Sequence, residues 1–148
     1  MAIALDTNAT GGWATFSFSY TCTGSNRLLV VGITGEVNAD DVTGVTYNGV
    51  ALTLISKLNI NSNRWQYLYY LLNPASGANT LAVTGLTTGM IFAASYTGVK
   101  QSAQPDASGT ASVNPATSIS KAVTTIEDSC WLVGTAFVGT AGTTTEQA

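Results

Sequence analysis

Asn48-Gly49, set between Val45-Thr46-Tyr47 and Val50-Ala51-Leu52, constrains the fold of this chain more than any other pair of residues. Asn-Gly supplies the two positive-φ residues of a type I′ turn, whose twist matches that of the strands it joins. A two-residue loop fixes the register, so Tyr47 pairs with Val50, Thr46 with Ala51 and Val45 with Leu52. Residues two apart share a face of a strand. Val45, Tyr47, Val50, Leu52 and Leu54 are therefore expected on one apolar face, opposite Thr46, Ala51 and Thr53. Turn chemistry and patterning agree, which marks a real hairpin and a β protein.

The rest of the chain reads the same way. Residues 13–22 alternate, with Phe16, Phe18 and Tyr20 inward and Thr15, Ser17 and Ser19 outward. Residues 28–33 are a continuous apolar run, the signature of a central strand covered on both faces. Further strands are expected at 64–72, 80–84 and 90–99, at the polar segment 117–126 and at the apolar segment 130–138. Lys121 would guard 117–126 as an edge strand. Residues 101–115 read as an exposed loop carrying Pro105, Gly109 and Pro115, and 140–148 are small and polar. Trp13 and Trp131 read as core aromatics. No helical stripe, internal repeat or linker appears. Short strands separated by Gly, Asn and Pro turns predict one all-β domain over residues 1–148, a sandwich or a barrel.

Composition narrows the function. Charged residues are only 9% of the 148, against ~25% in ordinary domains, and Thr, Ser, Asn and Gly fill the surface instead. Such neutral, β-favouring surfaces suit exported proteins and particles. The net charge is −3, and the basic residues Arg27, Lys57, Arg64, Lys100 and Lys121 are scattered, so no nucleic-acid partner is expected. The chain has no histidine. That removes Ser-His-Asp and Cys-His nucleophile systems, the usual imidazole metal ligands and the commonest proton-transfer group. No cofactor is expected. Neither a signal peptide nor a membrane span is expected. Cys22 and Cys130 either form a disulfide, contributing ~4–5 kcal/mol in the entropic model, or stay as two buried thiols.

Five phrases follow one another along the chain: Thr21-Cys22-Thr23-Gly24-Ser25-Asn26-Arg27-Leu28-Leu29, Thr43-Gly44-Val45-Thr46-Tyr47-Asn48-Gly49-Val50-Ala51-Leu52, Tyr69-Tyr70-Leu71-Leu72-Asn73-Pro74-Ala75-Ser76-Gly77-Ala78-Asn79, Ser95-Tyr96-Thr97-Gly98-Val99-Lys100-Gln101 and Asp128-Ser129-Cys130-Trp131. The ordered set resembles small β-sandwich proteins of phage structural regions and environmental bacterial genomes. The resemblance implies a single jelly-roll-like antiparallel β-sandwich with a virion or cell-exterior role. It carries no catalytic residues. It also implies further C-terminal strands, supplied by a longer chain or by a neighbouring subunit.

Arg64-Trp65-Gln66-Tyr67-Leu68-Tyr69-Tyr70 is the richest candidate site. Trp65, Tyr67 and Tyr69 share one strand face, and Leu68, Tyr70 and Leu72 the other. If the second set is core, the three aromatics line the outside, where they would stack on sugars or form a subunit interface. Otherwise the strand is covered on both sides. Glu36-x-Asn38-x-Asp40-Asp41 spaces oxygen ligands at alternate positions but lacks the EF-hand pattern, so a solvated acidic loop is expected and no metal. Glu127-Asp128 is a carboxylate pair, but adjacency in sequence does not set the spacing that glycoside hydrolysis needs, and a turn is expected there. The leading expectation is a non-enzymatic virion structural protein: a capsid decoration, or a tail or head-fibre module. Its partners would be copies of itself or other virion proteins, joined through sheet edges and apolar faces. The alternative is an extracellular carbohydrate-binding or adhesion module that uses Trp65, Tyr67 and Tyr69 on glycans.

Overall fold

The computed structural model describes residues 2–36, 39–61, 63–113 and 118–137. Among them the chain forms β1 (Ala4–Gly11), β2 (Ser17–Cys22), β3 (Leu28–Gly35), β4 (Gly44–Tyr47), β5 (Val50–Ala51), β6 (Thr53–Asn61), β7 (Arg64–Leu72), β8 (Gly77–Thr84) and β9 (Gly89–Thr97), with no helix. The strands make two antiparallel sheets packed face to face, in the orders β1-β9-β3-β7-β6 and β2-β8-β4-β5. The protein is an all-β sandwich. Its pairings are nested: β1 with β9, β2 with β8, β3 with β7, and β4 with β5 innermost.

The innermost turn is Asn48-Gly49. Both residues have positive φ (51° and 75°), and Tyr47 pairs with Val50 and Thr46 with Ala51. The single apolar face expected across the hairpin does not extend as far as 54. Val45, Tyr47 and Leu52 are core, whereas Val50 and Leu54 are exposed. After Leu52 the chain leaves the four-stranded sheet and enters β6 of the other one, so period-two facing is not carried across. Val50 lies in a two-residue strand at a sheet edge.

β3 lies between β9 and β7, at the middle of its sheet. Leu29, Val31 and Ile33 point into the sandwich against Tyr20, Cys22, Val45, Tyr47, Leu81 and Val83. Its outward residues Val30, Gly32 and Thr34 are buried as well, because residues 130–137 lie over them. A Cβ on Gly32 would overlap the Thr135 methyl. The reading of 28–33 as a strand covered on both faces therefore holds, with the second cover coming from outside both sheets.

Several expectations are corrected. β1 and β6 are edge strands whose polar sequences carry weak alternation. Residues 118–126 and 130–137 form no strand, and Thr117, Val138 and 140–148 lie outside the described residues. Those two segments cover side chains on the sheet without joining a ladder. Lys121 therefore guards no edge. That role falls to Lys57 on β6, a strand with register shifts at Leu54/Ser56 and Asn59/Asn61. β1 is likewise shifted at Leu5/Thr7. Bulges and an edge lysine discourage pairing with another chain. Trp13 and Trp131 are half exposed, not core. Trp13 sits in the turn closed by Thr15 N donating to Gly12 O.

Candidate functional site: the outer face of the five-stranded sheet

β7 presents Trp65, Tyr67 and Tyr69 inward. Tyr67 is 1% and Tyr69 7% exposed. Trp65 packs on the core and stacks on Tyr67, with ring centroids 6.4 Å apart and 20° between planes. The external aromatic platform expected from Trp65, Tyr67 and Tyr69 is thus corrected: the sandwich buries these larger rings and turns Leu68, Tyr70 and Leu72 outward. The Tyr67 hydroxyl donates to Asp40 Oδ1 at 3.0 Å. Burial, then the Asp40 carboxylate beside it, pushes the Tyr67 phenol well up. Lys57 pairs with the same carboxylate and holds it below its ordinary range.

The acidic loop spends its carboxylates separately. Glu36 pairs with Arg64 at 3.2 Å, Asp40 with Lys57, and Asp41 Oδ2 accepts from Thr87 N (3.2 Å) and Thr87 Oγ1 (3.3 Å). Asn38 lies outside the described residues, among which no group of His, Cys, Asp or Glu is set to hold a metal. Glu36 fastens the loop to β7, Asp40 to β6 and β7, and Asp41 to the turn before β9. Glu127 pairs with Lys100 at 2.5 Å in an exposed bend beside Asp128. The cysteines are not joined: Cys22 is buried in the core and Cys130 is exposed. The disulfide and the buried state of Cys130 are both corrected.

A polar cluster that the sequence did not point to ties the sheets together at one end. Ser95 is fully buried on β9, and its hydroxyl donates to Asp6 Oδ2 at 2.8 Å. Tyr20 OH donates to Thr7 O at 2.7 Å, and Thr23 donates to Asp6 through N (2.7 Å) and Oγ1 (2.5 Å). Burial pushes the Asp6 carboxyl up, but the bonds from Thr23 and Ser95 outweigh it and leave the group below its ordinary value. A depressed carboxylate stabilises the fold above the unfolded value of about 4, and that contribution is lost as pH falls through the folded value. Denaturant midpoints should therefore drop more between pH 7 and pH 3 for the natural chain than for Asp6→Asn. Equal drops would show that Asp6 contributes nothing to acid sensitivity.

The outer face of the five-stranded sheet also carries apolar surface. Val30, Leu68, Phe92 and Tyr96 face outward from the central strands, and residues 130–137 cross over them. Trp131 meets Tyr96 edge-on at 6.0 Å, Thr135 sits on Gly32, and Arg64 Cζ lies 4.8 Å from the Phe137 ring centre. A half-open cleft of about 380 Å³ lies beside the crossing segment, lined by Val30, Leu68, Phe92, Tyr96, Val133 and Thr135 among others. Phe92 is still 42% exposed and Leu132 71%. The alternate positions of 28–34, 64–72 and 90–96 carry this second apolar face in the sequence, and it could be read there once both faces of β3 are required to be covered.

A scan against protein-family models, a search of curated proteins and a search of solved structures each find no match to this chain.

Proposed function

We propose that this protein is a non-enzymatic structural module of a particle, a virion decoration or fibre component, that assembles through the outer apolar face of its five-stranded sheet. The observation that carries the reading is the placing of the exposed large apolar residues. Phe92 lies on that face and Trp131 and Leu132 on the segment that crosses it, while Val113, Ile119 and Ile126 are exposed elsewhere in the chain after β9, and Leu5, Trp13, Val50 and Leu54 are exposed as well. Exposed apolar surface is a feature of interaction sites. The register shifts on β1 and β6, with Lys57, favour the face over the edges of the five-stranded sheet as the route of assembly. The nested pairing of first strand with last, second with eighth and third with seventh supports a jelly-roll-like sandwich, an architecture used in capsids. The low charge content of the chain, 9% of its residues, suits close packing of copies.

Sedimentation across a concentration series, with electron microscopy of the concentrated sample, tests this. The natural chain is expected to self-associate into regular particles or rings. Leu132→Asp should weaken association at least tenfold while leaving the circular dichroism spectrum unchanged. A natural chain that stays monomeric at every concentration and does not co-purify with particles would overturn the proposal.

A further inference from the structure

We propose that residues 130–137 are a displaceable cover over the outer sheet face, held by a clasp at Asp106, rather than a fixed third layer of the sandwich. The segment joins no ladder, and among the described residues it makes no backbone–backbone hydrogen bond to the sheet. Strand-forming sequence normally satisfies its backbone by pairing. Here the segment is held by side chains: Trp131 on Tyr96, Thr135 on Gly32 and Phe137 under Arg64. Two half-open clefts, of about 380 and 340 Å³, lie along it.

The fixing points lie just before it. Asp106 Oδ2 accepts from Ile126 N at 2.6 Å and Glu127 N at 3.3 Å, with Cys130 Sγ at 3.6 Å. Lys100 adds an exposed ion pair to Glu127. These bonds join the loop after β9 to the start of the cover, and water competes for each of them. Local opening draws on regions with few buried contacts and exposed hydrogen bonds. Opening here uncovers Val30, which is 6% exposed beneath the segment, and leaves the two sheets intact.

The test uses the full chain in dilute solution with Val30→Cys and Cys130→Ser, and follows modification by a small thiol reagent. The thiol introduced at position 30 reports opening of the cover. Cys22, fully buried in the core, reports global opening. Asp106→Ala is expected to speed modification at position 30 at least tenfold and to leave Cys22 unchanged. Gly32→Ala should do the same without touching the clasp, because its Cβ overlaps Thr135 Cγ2. Adding Thr135→Ala to Gly32→Ala removes that overlap and should return the rate towards the starting one. If position 30 is modified in step with Cys22 in every variant, or if neither single substitution accelerates it, the proposal is overturned. Self-association does not enter these rates, so the cover and the assembly reading fail separately.

Discussion

Tyr47→Ala is expected to destabilise the protein by about 3–5 kcal/mol, the range for deleting a large buried aromatic. Tyr47 is fully buried between the sheets and meets Tyr20 edge-on, with centroids 6.3 Å apart. Its hydroxyl lies within donating distance of two carbonyls, Gly77 O (3.0 Å) and Tyr20 O (3.1 Å), which share its one proton, and it accepts from Asn79 Nδ2 at 3.3 Å. One side chain therefore fills the core and ties β4 to the ends of β2 and β8. Tyr47→Phe keeps the ring and loses only these bonds, so its cost is about 1–2 kcal/mol. Urea unfolding separates the two: the midpoint should fall far more for Ala than for Phe, with similar slopes. Equal costs would mean that the ring contributes no packing.

Gly85→Ala is expected to cost about 3 kcal/mol, from an unfavourable backbone conformation plus a steric clash. Gly85 has φ +91°, and a Cβ there would overlap the carbonyl of Asp41, with Asp41 C and Thr43 N each 3.0 Å away. All three atoms are backbone, so no side chain can swing aside. The neighbouring chains are also fastened, by Thr43 N donating to Thr84 O at 2.9 Å and by Thr87 on Asp41. For a domain of this size the melting temperature should fall by about 10 °C. Gly49→Ala is the control. Its φ is also positive, at +75°, but nothing lies near its Cβ, so only the conformational part of the cost remains.

What the sequence disclosed follows from how local each signal is. The Asn48-Gly49 turn needs only its own two residues, and it was read with its register. β7 was read to the residue because it is continuous and aromatic. β3 was read as doubly covered because neither face offers a polar alternation. Facing was harder. Trp65, Tyr67 and Tyr69 alternate perfectly with Leu68, Tyr70 and Leu72, and both sets are apolar, so periodicity could not tell inside from outside. The answer depends on which sheet lies opposite, a long-range fact. Residues 118–126 and 130–137 carry strand chemistry without strands, because ladder membership needs a partner and the sequence names none. The Asp6–Ser95 cluster joins positions 89 apart in the chain, and no local motif announces it.

The nested pairing has a consequence for how the molecule is made. Joining β1 to β9 directly closes a loop of most of the chain, which is entropically costly and slow. If pairing starts at the tight Asn48-Gly49 turn and spreads outward, each later pair closes only the short stretch left by the one before. β4 with β5 brings β3 near β7, then β2 near β8, and finally β1 near β9. The folding speed of the whole sandwich would then be set by two residues at its tip, and the first and last strands would be the last to find their places.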